Sequence, residues 1–157
     1  MDNVTPEKRS EIMSKIRSKD TCPEMIVRRI AHRMGYRFRL HSKELPGKPD
    51  LVFPRFRSVV FVNGCFWHWH ICRNGKRTPK SNIDYWTEKR MGNRLRDRCV
   101  KGKLRRKGWN VLVIWHCQCQ DERKIENLLK NFLRIAELDQ RSSLPQYEQK
   151  RGQESAC

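Results

Sequence analysis

Between Cys65 and Cys72 the chain reads CFWHWHIC, so two thiols, two imidazoles and three large aromatic rings share eight consecutive positions. Cys65, His70 and Cys72 form a C-x4-H-x-C pattern, three metal-ligand side chains from one compact loop. A structural zinc takes four such ligands in a tetrahedron, so a fourth must come from elsewhere in the chain. The segment WHCQC, residues 115–119, offers His116, Cys117 and Cys119. If the strand there stays extended, Cys117 and Cys119 point one way and His116 the other. Cys117 is nearer the ordered strand and is the expected fourth ligand. Four protein ligands leave no open position, so such a metal staples the loop and does no chemistry. The spacing is not that of a common zinc finger, and the plain alternative is a set of buried thiols with His70 at the surface. Cys22, Cys99 and Cys157 are read as bystanders.

His68 is left over from that ligand set. Asp50 ends the turn LPGKPD and comes close to His68 if segments 51–53 and 58–63 pair as strands. A carboxylate at a strand end suits magnesium, which binds through one or two carboxylates plus phosphate oxygens and water. Histidine titrates near working pH and so suits the role of general base. On its own, Asp50 also reads as an ordinary turn residue.

The elements that position these residues follow from pattern. TPEKRSEIMSKIRSK, from Thr5, reads as a polar helix with Ile12, Met13 and Ile16 as its large apolar residues, its basic side chains suited to a DNA backbone. A second helix runs from Thr21 to about Gly35, with Thr21 and Glu24 matching a capping box and Ile26, Val27, Ile30, Ala31 and Met34 forming an apolar stripe. YRFRLH (36–41), LVF (51–53), SVVFVN (58–63) and NVLVIWHC (110–117) read as strands. A basic loop spans 73–80, and a long helix runs from about Ser81 to Lys107. The last helix, 121–138, turns Ile125, Leu128, Leu129, Phe132 and Ile135 inward. Residues 139–157 read as a polar, flexible tail. The expectation is one domain over 1–138, an α/β fold with a mixed sheet flanked by helices, residues 1–20 forming an N-terminal DNA-contacting helix.

Length and charge agree with this. A chain of 157 residues buries roughly 68–70% of its unfolded surface. Its 35 basic and 17 acidic residues leave a net charge of +18, which points to a polyanion and first to nucleic acid. With no apolar run long enough to span a bilayer and no signal-peptide h-region, the expectation is no membrane partner and a reducing, cytoplasmic location. There the seven cysteines act as metal ligands or buried thiols.

Four blocks, MSKIRSKDTCPE, LPGKPDLVF, VFVNGCFWHWHIC and YWTEKRMGNRLRDR, together resemble the very short patch repair (Vsr) DNA mismatch endonucleases over roughly residues 5–135. The resemblance implies a restriction-endonuclease-like fold of the PD-(D/E)xK type carrying a structural zinc site. It implies a bacterial, nucleoid-associated enzyme, acting as a monomer on double-stranded DNA, alongside other mismatch-repair proteins. It also implies a magnesium-dependent nick on the 5′ side of the thymine in a T:G mismatch left by deamination of 5-methylcytosine. By that likeness Asp50 and the backbone carbonyl of Val62 hold Mg2+, His68 is the general base, and Glu24 touches the metal's waters or a basic neighbour. Its other reading, the capping box, stands beside this one. Cys65, His70, Cys72 and Cys117 match the family's Zn2+ ligands. Phe66, Trp67 and Trp86 match an aromatic wedge pushed into the base stack, and Met13 the residue entering from the minor groove. Trp69, Trp109 and Trp115 keep a core reading.

One position departs from the family: Asn63 stands where histidine is usual. Asparagine donates a hydrogen bond but carries no proton charge at neutral pH. Two other functions compete, a restriction-type nuclease cutting intact duplex and a zinc-stapled DNA-binding module without catalysis. Retention of both Asp50 and His68 argues against the second.

Overall fold

The computed structural model describes residues 19–142, with side chains through Leu138. The expected helix from Thr5, with Met13, lies outside the described residues, as does the chain beyond Ser142. Helix α1 (Cys22–Arg33) leads to strand β1 (Arg39–Leu40), then β2 (Leu51–Phe53) and β3 (Ser58–Asn63). A single-turn helix α2 (Arg73–Lys76) and the long α3 (Ile83–Arg106) precede β4 (Asn110–Trp115), and α4 (Glu122–Ser142) follows. The sheet order is β1-β2-β3-β4, antiparallel for the first two pairings and parallel between β3 and β4. A parallel pair needs a crossover connection, and α3 supplies it.

Alternation along the strands divides the core into two layers. Leu51, Phe53, Val60 and Ile114 face α1 and α4, where they meet Val27, Ile30, Ala31, Ile125, Leu129 and Leu133. Val52 and Val59 face α3 and pack on Leu104, with Phe61, Val100 and Val111 around them. Asn63 follows Phe61 by two positions and therefore shares the α3 face, a placement that matters below.

Several expectations are corrected. The strand over 36–41 shrinks to Arg39–Leu40, because the Tyr36 amide is spent capping α1 on Ala31 O at 3.1 Å and His41 adopts a φ of 46°. Helix α3 begins at Ile83, since Asn82 is left-handed. In α4, Leu133 and Ala136 are buried and Ile135 is exposed, so the apolar face is rotated from the expected one. That helix also runs past residue 138 to Ser142. Among the described residues no helix is long and apolar enough to cross a membrane.

Candidate active site and metal centre

The end of β3 carries the candidate site. Asp50, just ahead of β2, accepts a hydrogen bond from the Val62 amide at 2.7 Å. Burial pushes its carboxyl up to about 6, against the pull of that amide, and the charge of Glu24 adds to the rise. His41 and Arg28 pull the other way without cancelling that rise. His41 Nδ1 stands 3.9 Å from its Oδ1.

Glu24 is buried and heavily bonded. Its carboxylate accepts from the Asp20 amide at 3.0 Å, the Thr21 hydroxyl at 2.8 Å and Arg28 at 2.9 Å. The capping box is thus altered. Thr21 is the N-cap but makes no side-chain cap bond to the helix, because its hydroxyl donates to Glu24 instead. Arg28 is the basic side chain that Glu24 bonds.

His68 follows in the loop after β3, its amide bonded to Gly64 O at 3.2 Å. Its Nδ1 lies 2.5 Å from Oδ2 of Asp97 on α3. An ionised carboxylate only accepts, so Nδ1 carries a proton, and in the neutral ring the lone pair is then on Nε2. The Asn63 amide donates to the same Asp97 oxygen at 3.4 Å. Sequence reasoning missed Asp97, although it is the only acid between Glu88 and Asp121 in a strongly basic stretch. It also missed His41 and Arg28. The His68–Asp97 pair opens on a 530 Å³ groove to which Arg94, Arg98 and Lys101 contribute, cations suited to a phosphate backbone.

The ligating atoms of Cys65, His70, Cys72 and Cys117 lie within 4.8 Å of one another and form a group able to hold a metal ion. Cys117 Sγ is 3.6 Å from His70 Nδ1, and the Cys117 amide donates to Cys65 Sγ at 3.4 Å. The strand ends at Trp115, so Cys117 reaches the group from a 3₁₀ turn (His116–Gln120) and not from an extended strand. The same turn sends Cys119 into the core, with its thiol on Trp115 O. The Gly75 amide, with His70, holds the Cys72 thiol down to about 6, while burial pushes Cys65 up to about 12. Gly75 tolerates no side chain, since a Cβ there would stand 1.9 Å from His70 O.

Phe66, Trp67 and Trp86 form a three-ring cluster with centroids 5.4 to 5.7 Å apart, and Tyr85 joins it 5.2 Å from Trp86. The cluster is half-buried. A Cβ at Gly64 would lie 2.8 Å from the Trp67 ring, so the turn is closed tightly against it. Arg90 ties loop to helix. Its buried guanidinium bonds Gly75 O and Arg77 O and stacks over Phe66 and Trp69 at 4.9 and 4.6 Å. That packing holds Trp69 in a left-handed conformation, φ 54°, which a bulky residue rarely adopts. Trp109 packs beside Leu104, as a core residue would, and Trp115 stacks on His70 at 4.3 Å.

Comparison with known proteins decides the family. The family described as "DNA mismatch endonuclease Vsr" matches residues 1–74. The chain is 50% identical over 132 residues to "Type II nicking enzyme V.XorIIP" of Xanthomonas oryzae pv. oryzae, covering 84% of this chain and 96% of that one. The chain belongs to the Vsr family. It is 40% identical over 133 residues to "Type II nicking enzyme V.NmeAIP" of Neisseria meningitidis, with 85% and 94% covered. It is 37% identical over 117 residues to "DNA mismatch endonuclease Vsr" of Escherichia coli, covering 74% of each chain. This Vsr enzyme is a DNA endonuclease, a hydrolase of DNA repair.

Proposed function

We propose that the enzyme is a magnesium-dependent endonuclease that nicks the strand 5′ of the thymine in T:G mismatches arising from 5-methylcytosine deamination. The carrying observation is that His68 directly follows Phe66 and Trp67 in the loop after β3, and that both the histidine and the two rings meet α3, at Asp97 and at Trp86. Stacked rings replace lost base stacking at roughly 1–3 kcal/mol per base, and a mismatched step is cheaper to open than a paired one. A wedge and a base held between one loop and α3 couple finding the mismatch to cutting beside it. Met13 completes the wedge from the other groove.

One carboxylate and a backbone carbonyl, Asp50 and Val62, suit magnesium, which keeps several waters and takes few protein ligands. The raised Asp50 carboxyl fits that role, since a bound cation relieves its buried charge. When bound, magnesium supplies positive charge at the scissile phosphate. His68 Nε2 takes the proton of the attacking water while Asp97 holds the ring and bears its charge. Asn63 steadies Asp97, and Glu24 orders the approach to Asp50. For the other group, a zinc tetrahedron with bonds of about 2.0–2.3 Å has edges of roughly 3.3–3.8 Å. The 3.6 Å between Cys117 and His70 fits that range, so Zn2+ is proposed there as a structural ion. The fold is read as restriction-endonuclease-like. One domain, with its N-terminal helix on DNA, acts as a monomer in the cytoplasm, at the nucleoid, and other mismatch-repair proteins complete the repair.

The test is incubation of T:G and T:A duplexes with and without magnesium on a denaturing gel. The expected result is one nick 5′ of the mismatched thymine, absent without magnesium and absent for Asp50→Ala, which still binds the mismatch. Cleavage of both strands of the T:A duplex would favour the restriction-type reading, and binding without any cut the DNA-binding module.

A further inference from the structure

Asp20, Glu24 and His41 also bring metal-ligating atoms within 4.8 Å of one another, beside Asp50. A guanidinium already stands among them. Arg28 donates through Nη1 to Asp20 Oδ1 at 2.5 Å, and through Nη2 to Glu24 Oε2 and to His41 Nε2, both at 2.9 Å. A guanidinium has no acceptor, so His41 Nε2 must accept and the ring's single proton sits on Nδ1, the atom facing Asp50. Arg28 is only 8% exposed and its Nε has no hydrogen-bond partner, so the side chain is buried for the sake of the contacts its two terminal nitrogens make.

We propose that Arg28 is a built-in counter-cation of the catalytic carboxylates, filling the place where Asp20, Glu24 and His41 would otherwise gather a second divalent ion. Among the described residues, Arg28 sets its positive charge against Glu24 and Asp20 and also favours the ionised form of Asp50, which Glu24 opposes. Remove the guanidinium and Asp20 and Glu24 face each other unpaired, with an imidazole nitrogen newly free to ligate. That set of two carboxylates and one histidine suits a divalent ion. The proposal rests on the reading of Asp50 as the magnesium ligand, and the test separates the two.

Mn2+ bound by the zinc-loaded protein would be counted by electron paramagnetic resonance. The wild type should bind one Mn2+, which Asp50→Ala removes. Arg28→Met, which keeps the apolar stem and loses the charge, should bind one ion more than wild type, and adding Asp20→Asn should abolish that extra ion. A count in Arg28→Met no higher than wild type would overturn the proposal. An extra ion in Arg28→Met when wild type binds none would uphold it and remove the Asp50 reading instead. If Arg28→Met does not fold, Asp20→Asn alone decides: an unchanged count supports the proposal, and a lost ion overturns it.

Discussion

Cys65, His70, Cys72 and Cys117 converge from two segments and bond to one another and to backbone amides, whereas Asp20, Glu24 and His41 converge around the guanidinium of Arg28. Both groups bring their ligand atoms within 4.8 Å of one another, yet their chemistry diverges. In the first, burial keeps the Cys65 thiol protonated while the Gly75 amide and His70 favour the Cys72 thiolate, so the thiols do not ionise together. A metal resolves that conflict by deprotonating all of its ligands together. In the second, the protein has supplied its own cation. Proximity of ligand atoms therefore marks a candidate, and the charge already present decides what the group accepts.

The largest effect should come from the sulfur-rich group. Structural zinc contributes about 10–16 kcal/mol of apparent binding free energy in zinc-finger peptides. Chelation, or Cys117→Ala, should therefore unfold the domain or loosen the 65–72 loop, read as a lost or strongly lowered melting transition. Unchanged melting of a zinc-free protein would end the distinction between the two groups.

Next in size is Asp97→Asn. The amide can donate to His68 Nδ1 and so select the tautomer with its proton on Nε2, where the base needs a lone pair. Single-turnover nicking should fall about 10²–10⁴-fold, with mismatch binding retained. A normal rate would show that the 2.5 Å contact with His68 is packing and no more.

Asp50 offers a smaller, thermodynamic test. Its folded-state carboxyl is raised to about 6 from 3.8, so the folded protein binds the extra proton between those values and stability falls as pH rises through them. The penalty is absent below about pH 4 and complete above about pH 6. Without magnesium, Asp50→Asn should thus be more stable than wild type near neutral pH by roughly 2–3 kcal/mol, and no more stable near pH 4. Equal denaturation midpoints at both pH values would mean that Asp50 is not short of a cation.

The two groups also differ in how far the sequence disclosed them. Three sulfur-site residues fall within eight positions, and the fourth lay among three candidates, so local spacing nearly sufficed. Cys117 was reached by assuming an extended strand, although a 3₁₀ turn is what presents it and withdraws Cys119. Strands β2 to β4 and the apolar stripe of α1 were legible because burial imposes a period on them. Asp97, Arg28 and His41 were not. Asp97 lies on a helix whose only buried side chains are Arg90 and Leu104, so no apolar stripe shows which face meets the loop. Arg28 and His41 meet only because α1 and the turn after β1 fold against each other, a contact without local signature. Ile135 was misassigned because α4 carries more apolar residues than its buried face needs.

Asn63 gives the smallest and sharpest test, because it joins the catalytic side of the comparison without bringing charge to it. Its amide shares Asp97 Oδ2 with His68, at 3.4 Å against 2.5 Å, so it supplies a weak neutral bond. Charge-assisted bonds are roughly twice as strong as neutral ones. In Asn63→His, a protonated imidazole would pair with Asp97 and add positive charge near the developing phosphate charge, worth about 0.5–1 kcal/mol or roughly two- to fivefold in rate. This variant should therefore nick faster than wild type in single turnover. The advantage should widen as pH falls toward the imidazole range, until protonation of His68 removes the base. Rates of both proteins from about pH 6 to about pH 8.5 would show this as converging curves on the alkaline side. Equal rates throughout would mean that position 63 needs only a hydrogen-bond donor.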